Sequence, residues 1–411
     1  MPQHALTTKQ LQDAVNLANK HGGVTAAAEA TGMKRETLQA RVRQARVAGI
    51  LPKGQGASDP SVLKAQIKHL EKALKTAQQE SADASAIKAA IGDIKTRIDT
   101  LDLPTWASAP LAKPSSPGVP LLFLSDFHWG EVVHPSQING VNKFNLAIAQ
   151  ARLTYTIETA IHLLTILDGK RDYPGIVVPL GGDMISGNIH DELTATNELN
   201  TMPTVLDLYG HLCAGIERLA EVFGAVFLPC VSGNHGRDTR KIWGKDRHHT
   251  SFDWLLYRFL AKRFEGDRRV SFFVPDSSDA LFRIFATRFL LTHGDQFRGG
   301  DSIIGALGPL TRGNQKKQAR NQAIGAEYDV MMCGHWHQYI HNSRLIVNGS
   351  LKGYDEYAYQ NNFGFEIPQQ ALFVVHPRHG ITYRMPVGCE RPPESRASQW
   401  VSFSAANRPE K

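Results

Sequence analysis

The chain has 411 residues, 42% hydrophobic and 21% charged; this composition excludes a wholly disordered or collagen-like polymer, and the length points to two or three domains with separate cores. No run approaches about 18 consecutive apolar residues, and Met1 to Gln10 lacks the basic-then-apolar layout of a secretory signal, so the chain reads as cytoplasmic with no membrane span. The net charge is +7, yet residues 1–100 hold 15 Lys and Arg against 9 Asp and Glu while the other 311 residues hold 31 against 30, so the basic excess is N-terminal. Cys213, Cys230, Cys333 and Cys389 lie far apart without a CxxC pair, which argues against a disulfide framework or a thiolate zinc site.

From Thr7 to Lys20, Leu11, Ala14, Val15, Leu17 and Ala18 recur at helical spacing, and Gly22-Gly23 ends the segment. Thr25 is expected to cap a second short helix through Ala26–Ala30, which Gly32 stops in left-handed backbone. A third helix, 34–48, buries Leu38, Val42 and Ala45 and leaves Lys34, Arg35, Thr37, Arg41, Arg43 and Arg46 largely outside. Residues 1–50 thus resemble a helix-turn-helix, whose second paired helix enters the major groove. The resemblance implies nucleic-acid contact, DNA first and RNA as the alternative, through Lys34, Arg35, Thr37, Arg41 and Arg43; the bland alternative is a packing module with a solvated basic face.

Over 58–103, Leu63, Ile67, Leu70, Leu74 and Ala77, then Ile87, Ile91, Ile94, Ile98 and Leu101, alternate steps of four and three in two different phases. This reads as a coiled coil that dimerises the chain or as a self-packed helical hairpin. Five prolines between 103 and 120 mark a linker over 104–118, and the tail 391–411 has little periodicity and reads as flexible or extended.

The catalytic question belongs to 119–390. Five apolar, strand-like runs each end in polar residues: 119–125 in Asp126-Phe127-His128, 175–180 in Gly181-Gly182-Asp183, 226–231 in Gly233-Asn234-His235, 289–292 in His293-Gly294 and 330–333 in Gly334-His335-Trp336-His337. In an α/β sheet, reactive side chains belong at the carboxyl ends of strands. Carboxylate, imidazole and amide oxygen form a hard-to-borderline donor set that suits manganese, iron, zinc or nickel.

The series D-x-H, G-D, G-N-H, H and G-H-x-H resembles the calcineurin-like metallophosphoesterase family, repair exonucleases included, over 118–388. The resemblance implies an α/β fold, a four-layer αββα sandwich with metals at strand ends, and two divalent ions, manganese first. It places one ion on Asp126, His128, Asp183 and His337 and the other on Asp183, Asn234, His293 and His335, with Asp183 bridging. It also implies that His235 protonates the leaving oxygen or stabilises the transition state, which makes it the general-acid candidate. Where many relatives follow G-N-H with Asp or Glu, this chain has Gly236 and Arg237; Asp238 is the expected substitute partner of His235, and Arg237 a candidate bidentate phosphate clamp. His190, in the loop after Gly187, is a candidate substrate contact, and His248 and His249 a candidate basic rim.

The resemblance implies hydrolysis of a phosphoric ester, and the attached basic module favours a DNA phosphodiesterase, although the catalytic region is near neutral with no long basic run. The alternatives are a phosphomonoesterase or cyclic-nucleotide phosphodiesterase localised by the helix-turn-helix, and a DNA-binding regulator with a vestigial site.

Overall fold

The computed structural model describes residues 7–47, 118–167, 173–299 and 305–392. The chain divides into two compact units, Met1–Ala90 and Ile91–Lys411. The coil or hairpin expected over 58–103, the linker up to Pro117 and the tail beyond 392 lie outside the described residues.

The first unit holds α1 (Thr8–Lys20), α2 (Val24–Thr31) and α3 (Arg35–Val47). Thr7 caps α1 in a capping box with Gln10. The expected cap of α2 is corrected: Gly23 holds that position at φ 149°, a conformation closed to threonine, so Thr25 falls inside the first turn. Gly32 ends α2 in left-handed backbone as expected, at φ 69°. Ala14, Ala27, Ala28, Leu38 and Val42 form the core. Lys34, Arg35, Thr37 and Arg43 are exposed and Arg41 is half-buried, so the basic face is available to solvent.

The second unit is mixed α/β with two sheets. Six strands, β1 (Val119–Phe123), β2 (Ile176–Val177), β3 (Val226–Pro229), β4 (Val270–Phe273), β10 (Gln369–His376) and β11 (Gly380–Gly388), run in the order β11-β10-β1-β2-β3-β4. The pairs from β1 to β4 are parallel, and the final hairpin joins antiparallel. The other sheet, β5 (Asp279–Ile284), β6 (Thr287–Thr292), β7 (Val330–Cys333), β8 (Ile340–His341) and β9 (Leu345–Val347), has the order β5-β6-β7-β9-β8. The run 175–180 forms a much shorter strand than expected, because Pro179 brings no N–H to the ladder; pairing resumes only as bridges from Leu180 to Leu124 and Cys230.

Alternation along the strands assigns each side chain to a face. Leu122, Leu124, Val226 and Leu228 pack with one face of α4 (Leu146–Leu167), where Ala149, Leu153, Ile157, Ala160 and Leu164 recur, and with Leu208, Leu212 and Ile216 of α6 (Thr201–Phe223) and Leu256 of α7 (Phe252–Arg263); the short α5 (Asp191–Thr196) precedes α6. On the opposite face, Leu121, Phe123, Val177 and Phe373 meet Phe289, Leu291, Val330 and Met332 of the second sheet. Leu290, Met331, Cys333 and Val347 point away from that core and pack with Leu310 of α8 (Leu307–Ala323). These packed layers leave the strand ends as the place where polar side chains gather. The four cysteines are free, and no described helix is long and apolar enough to cross a membrane.

Candidate metal centre

Each motif lies just beyond a strand or the isolated bridge that prolongs it, and the loops turn so sharply that Asp126, His128, Asp183, His335 and His337 all adopt positive φ, between 48° and 68°. Such backbone costs about 1–3 kcal/mol per residue and persists only where the surroundings over-determine it. Here the loops cross-brace one another. The amide of His335 donates to Asp126 Oδ1 (2.8 Å), and the amide of His235 donates to Asp183 Oδ1 (2.7 Å), so each carboxylate fixes the loop of another motif. Glycine is required at two of these approaches: a Cβ on Gly334 would overlap the Asp126 carboxylate, and one on Gly233 the Asp183 carboxylate.

The seven residues implied as ligands converge. Donor atoms of Asp126, His128 and His337 lie within 4.8 Å of one another, as do those of Asp183, His293 and His335; Asp183 also groups with His128 and His235. His128 Nε2 is 3.0 Å from His337 Nε2, which is 3.4 Å from Asp126 Oδ1. His293 Nε2 is 3.0 Å from Asp183 Oδ2 and 3.1 Å from Asn234 Oδ1, which brings the amide of the third motif into the second group.

The imidazoles are oriented for coordination. His293 Nδ1 faces the carbonyl of Gly181 at 2.8 Å; a carbonyl only accepts, so Nδ1 carries hydrogen and Nε2 faces the carboxylate. His128 Nδ1 lies 3.1 Å from Glu131 Oε2, which leaves Nε2 for the centre. Burial first, then Lys352 and His235, push His128 down to about 4, and burial pushes His335 down to about 4, so both are neutral at pH 7 as metal-bound imidazole must be. Burial opposes the charge on Asp183, but the imidazoles of His293, His235 and His128 hold it well below the ordinary carboxylate range. Five buried carboxylates, Asp126, Glu131, Asp183, Asp253 and Asp355, share this region with one buried lysine, Lys352, and burial pushes Asp253 up to about 7. His293, pushed up to about 10 against its burial by the Asp183 charge, adds one positive charge. The remaining negative charge and the mixed O/N donors fit divalent cations, which displace that proton on binding.

Four outer residues, Asp253, Lys352, Glu131 and Asp355, carry no signal in the sequence. Asp253, fully buried in the first turn of α7, accepts from the amides of Asp183 (3.0 Å), Met184 (3.3 Å) and Gly233 (2.9 Å) and so clamps the second and third motif loops together. Lys352 Nζ donates to Glu131 Oε1 (2.8 Å) and Asp355 Oδ2 (2.5 Å), which fixes the carboxylate behind His128. Glu131→Ala is expected to weaken metal binding by roughly 10–100-fold, read by competition with a chromogenic chelator, because His128 loses its orienting partner. Undiminished affinity would show that His128 is held otherwise.

The weaker sequence candidates fare unevenly. The orienting partner of His235 is corrected: its Nδ1 faces the Ser186 carbonyl at 3.0 Å, a backbone group that residue-type reasoning does not see, rather than Asp238. Arg237 Nε donates to Thr239 O (3.0 Å) and Nη1 to Asn234 O (2.7 Å), so two of its donors brace its own loop. His190 is exposed, with its ring 6.0 Å from that of His235. His248 and His249 lie half-buried and group with Asp276 rather than with the centre.

No family model and no curated protein matches the chain. Among solved structures, a dimetal phosphatase from Danio rerio aligns with 67% of this chain and all of its own at 11% identity, TM-score 0.34. Vps29 from Entamoeba histolytica complexed with zinc covers 66% of this chain and all of its own at 11% identity, TM-score 0.26. A predicted phosphoesterase from Streptococcus pneumoniae covers 66% of this chain and 97% of its own at 12% identity, TM-score 0.23. Similarities this distant leave the functional reading to rest on the centre itself.

Proposed function

We propose that the chain is a calcineurin-like metallophosphoesterase with a four-layer αββα catalytic unit, and that it hydrolyses phosphodiesters of DNA. The observation that carries this reading is the convergence of seven donors from five strand ends around the shared carboxylate of Asp183. Asp126, His128, Asp183 and His337 would hold one divalent ion, and Asp183, Asn234, His293 and His335 a second, manganese being the first candidate. When bound, such ions polarise phosphoryl oxygens and lower the pKa of water. Hydrolysis joins the water oxygen to phosphorus and breaks the ester P–O bond, and the leaving oxygen takes a proton.

His235 is placed for that proton. With hydrogen on Nδ1 held by Ser186, Nε2 is the transferring atom; burial lowers its basicity, and the Asp183 carboxylate works in the opposite sense. A second proton on the ring is the one it delivers. The neutral amide of Asn234 supplies an oxygen without adding negative charge where an anionic ester must approach.

DNA is favoured because the N-terminal unit carries Lys34 just ahead of α3 and Arg35, Arg41 and Arg43 on it, and tethering raises the effective concentration of the catalytic unit on nucleic acid without new contacts at the centre. Dimerisation through 58–103 would give that module two-fold symmetry. The full chain with manganese should cleave DNA and a bis-ester chromogen such as bis(p-nitrophenyl) phosphate. Rapid turnover of p-nitrophenyl phosphate with no cleavage of DNA would replace this reading with a phosphomonoesterase.

A further inference from the structure

The segment after G-N-H, residues 237–250, contains five Lys and Arg (Arg237, Arg240, Lys241, Lys245, Arg247) against Asp238 and Asp246, in a catalytic region whose overall charge is near neutral. Its ends are tied into a neck: the amide of Asp238 donates to the Thr250 carbonyl (2.8 Å), and Arg237 bridges to Ser251. That neck sits on the metal centre. Arg237 Nη1 holds the carbonyl of Asn234, and Arg247 pairs at 2.7 Å with Asp295, two residues beyond His293.

Beyond the neck the character changes. Arg240, Lys241 and Lys245 are exposed, and their side chains make no hydrogen bond or ion pair with a described residue. Trp243 among them is 55% exposed. Of the two acids, Asp246 is turned toward His249 at 3.5 Å. Three unpaired cations around an exposed indole, on a loop rooted between two ligand loops, form a binding surface for a polyanion with flat, stackable groups. A duplex hides its base faces in the stack, whereas an unpaired strand offers one at each nucleotide.

We propose that this loop is where the centre engages its substrate, and that the substrate is a single-stranded polynucleotide, with Arg240, Lys241 and Lys245 on phosphates and Trp243 stacked on a base. The proposal rests on the phosphodiesterase reading and adds the substrate class. It also locates the strand-tracking charge that the near-neutral total of the catalytic region conceals.

The test uses the full chain with manganese, an end-labelled single-stranded oligothymidylate, its duplex with oligoadenylate, and bis(p-nitrophenyl) phosphate. The readout is the ratio of kcat/KM on the oligonucleotide to kcat/KM on the chromogen. The triple variant R240A/K241A/K245A should lower the single-strand ratio at least about 10-fold and flatten the salt dependence of log KM by about two, at roughly 0.7 per neutralised phosphate. Trp243→Ala should lower the ratio by roughly 5–100-fold and Trp243→Phe should restore most of it, an outcome a folding defect would not give. Unchanged ratios in the triple variant and in Trp243→Ala would overturn the loop assignment and leave the phosphodiesterase reading standing. Equal losses on duplex and single strand would overturn the unpaired-strand assignment. A wild-type chain that turns over the chromogen and cleaves no oligonucleotide would remove the DNA reading, and the loop proposal with it.

Discussion

Asp183→Asn is expected to reduce bound divalent metal from two ions per chain to fewer than one and to abolish hydrolysis, a loss well beyond the roughly 10–100-fold caused by removing an outer partner. The asparagine matches the aspartate in shape, so packing of the buried side chain is conserved. What changes is charge and donor count. Asp183 accepts the His235 amide on one oxygen and faces His293 on the other, and it groups with donors of both ligand sets. An amide offers one oxygen and turns an NH2 toward the other neighbour, so it cannot bridge two cations. The charge that holds His293 at about 10 also disappears, which removes the attraction that draws a cation into the second site. Metal analysis after equilibrium dialysis, with circular dichroism to confirm the fold, checks this; two ions retained in the variant would show that Asp183 does not bridge.

His235→Ala should behave differently, keeping two ions while losing turnover by roughly 10²–10⁴-fold on DNA. The comparison is demanding because His235 lies among the ligands: its ring is 4.5 Å from that of His128, and it falls within ligand distance of Asp183. Its assignment as proton donor rests on the Ser186 carbonyl, which fixes hydrogen on Nδ1 and leaves Nε2 to exchange a proton. A donor matters most when the leaving oxygen is strongly basic, so the loss should be much smaller on bis(p-nitrophenyl) phosphate, whose leaving group departs without help. Equal losses on both substrates, or metal loss in the variant, would make His235 a ligand.

The clustering of these candidate ligands was legible because the chemistry falls where strands end: Asp126, Asp183, Asn234, His293 and His335 each follow an apolar run expected as a buried strand, and their donor atoms gather in the folded chain. The groups that order the ligands were illegible because they act through backbone or across long sequence separations. Asp253 grips three amides that leave no mark on residue type, and Lys352 reaches Glu131 across 221 positions. The partner of His235 is a carbonyl, whereas residue types alone point to the nearby carboxylate of Asp238. Local backbone demands were partly hidden as well. Thr25 has the better capping side chain, but only Gly23 can take the required φ, and Pro179 truncates a strand that hydrophobicity alone extends. Charge was the most misleading total: the near-neutral catalytic region contains the basic loop 237–250, whose excess is cancelled elsewhere in the sum.

If the five strand-end motifs build one two-ion centre that hydrolyses phosphodiesters, metal occupancy and turnover must rise together. The direct measurement is hydrolysis of bis(p-nitrophenyl) phosphate by the metal-stripped full chain during titration with manganese, with bound metal counted at each step. Saturation is expected at two ions per chain, with activity that rises with the second ion and is lost on chelation. Saturation below two ions, or hydrolysis that persists in the stripped chain, would contradict a two-ion centre.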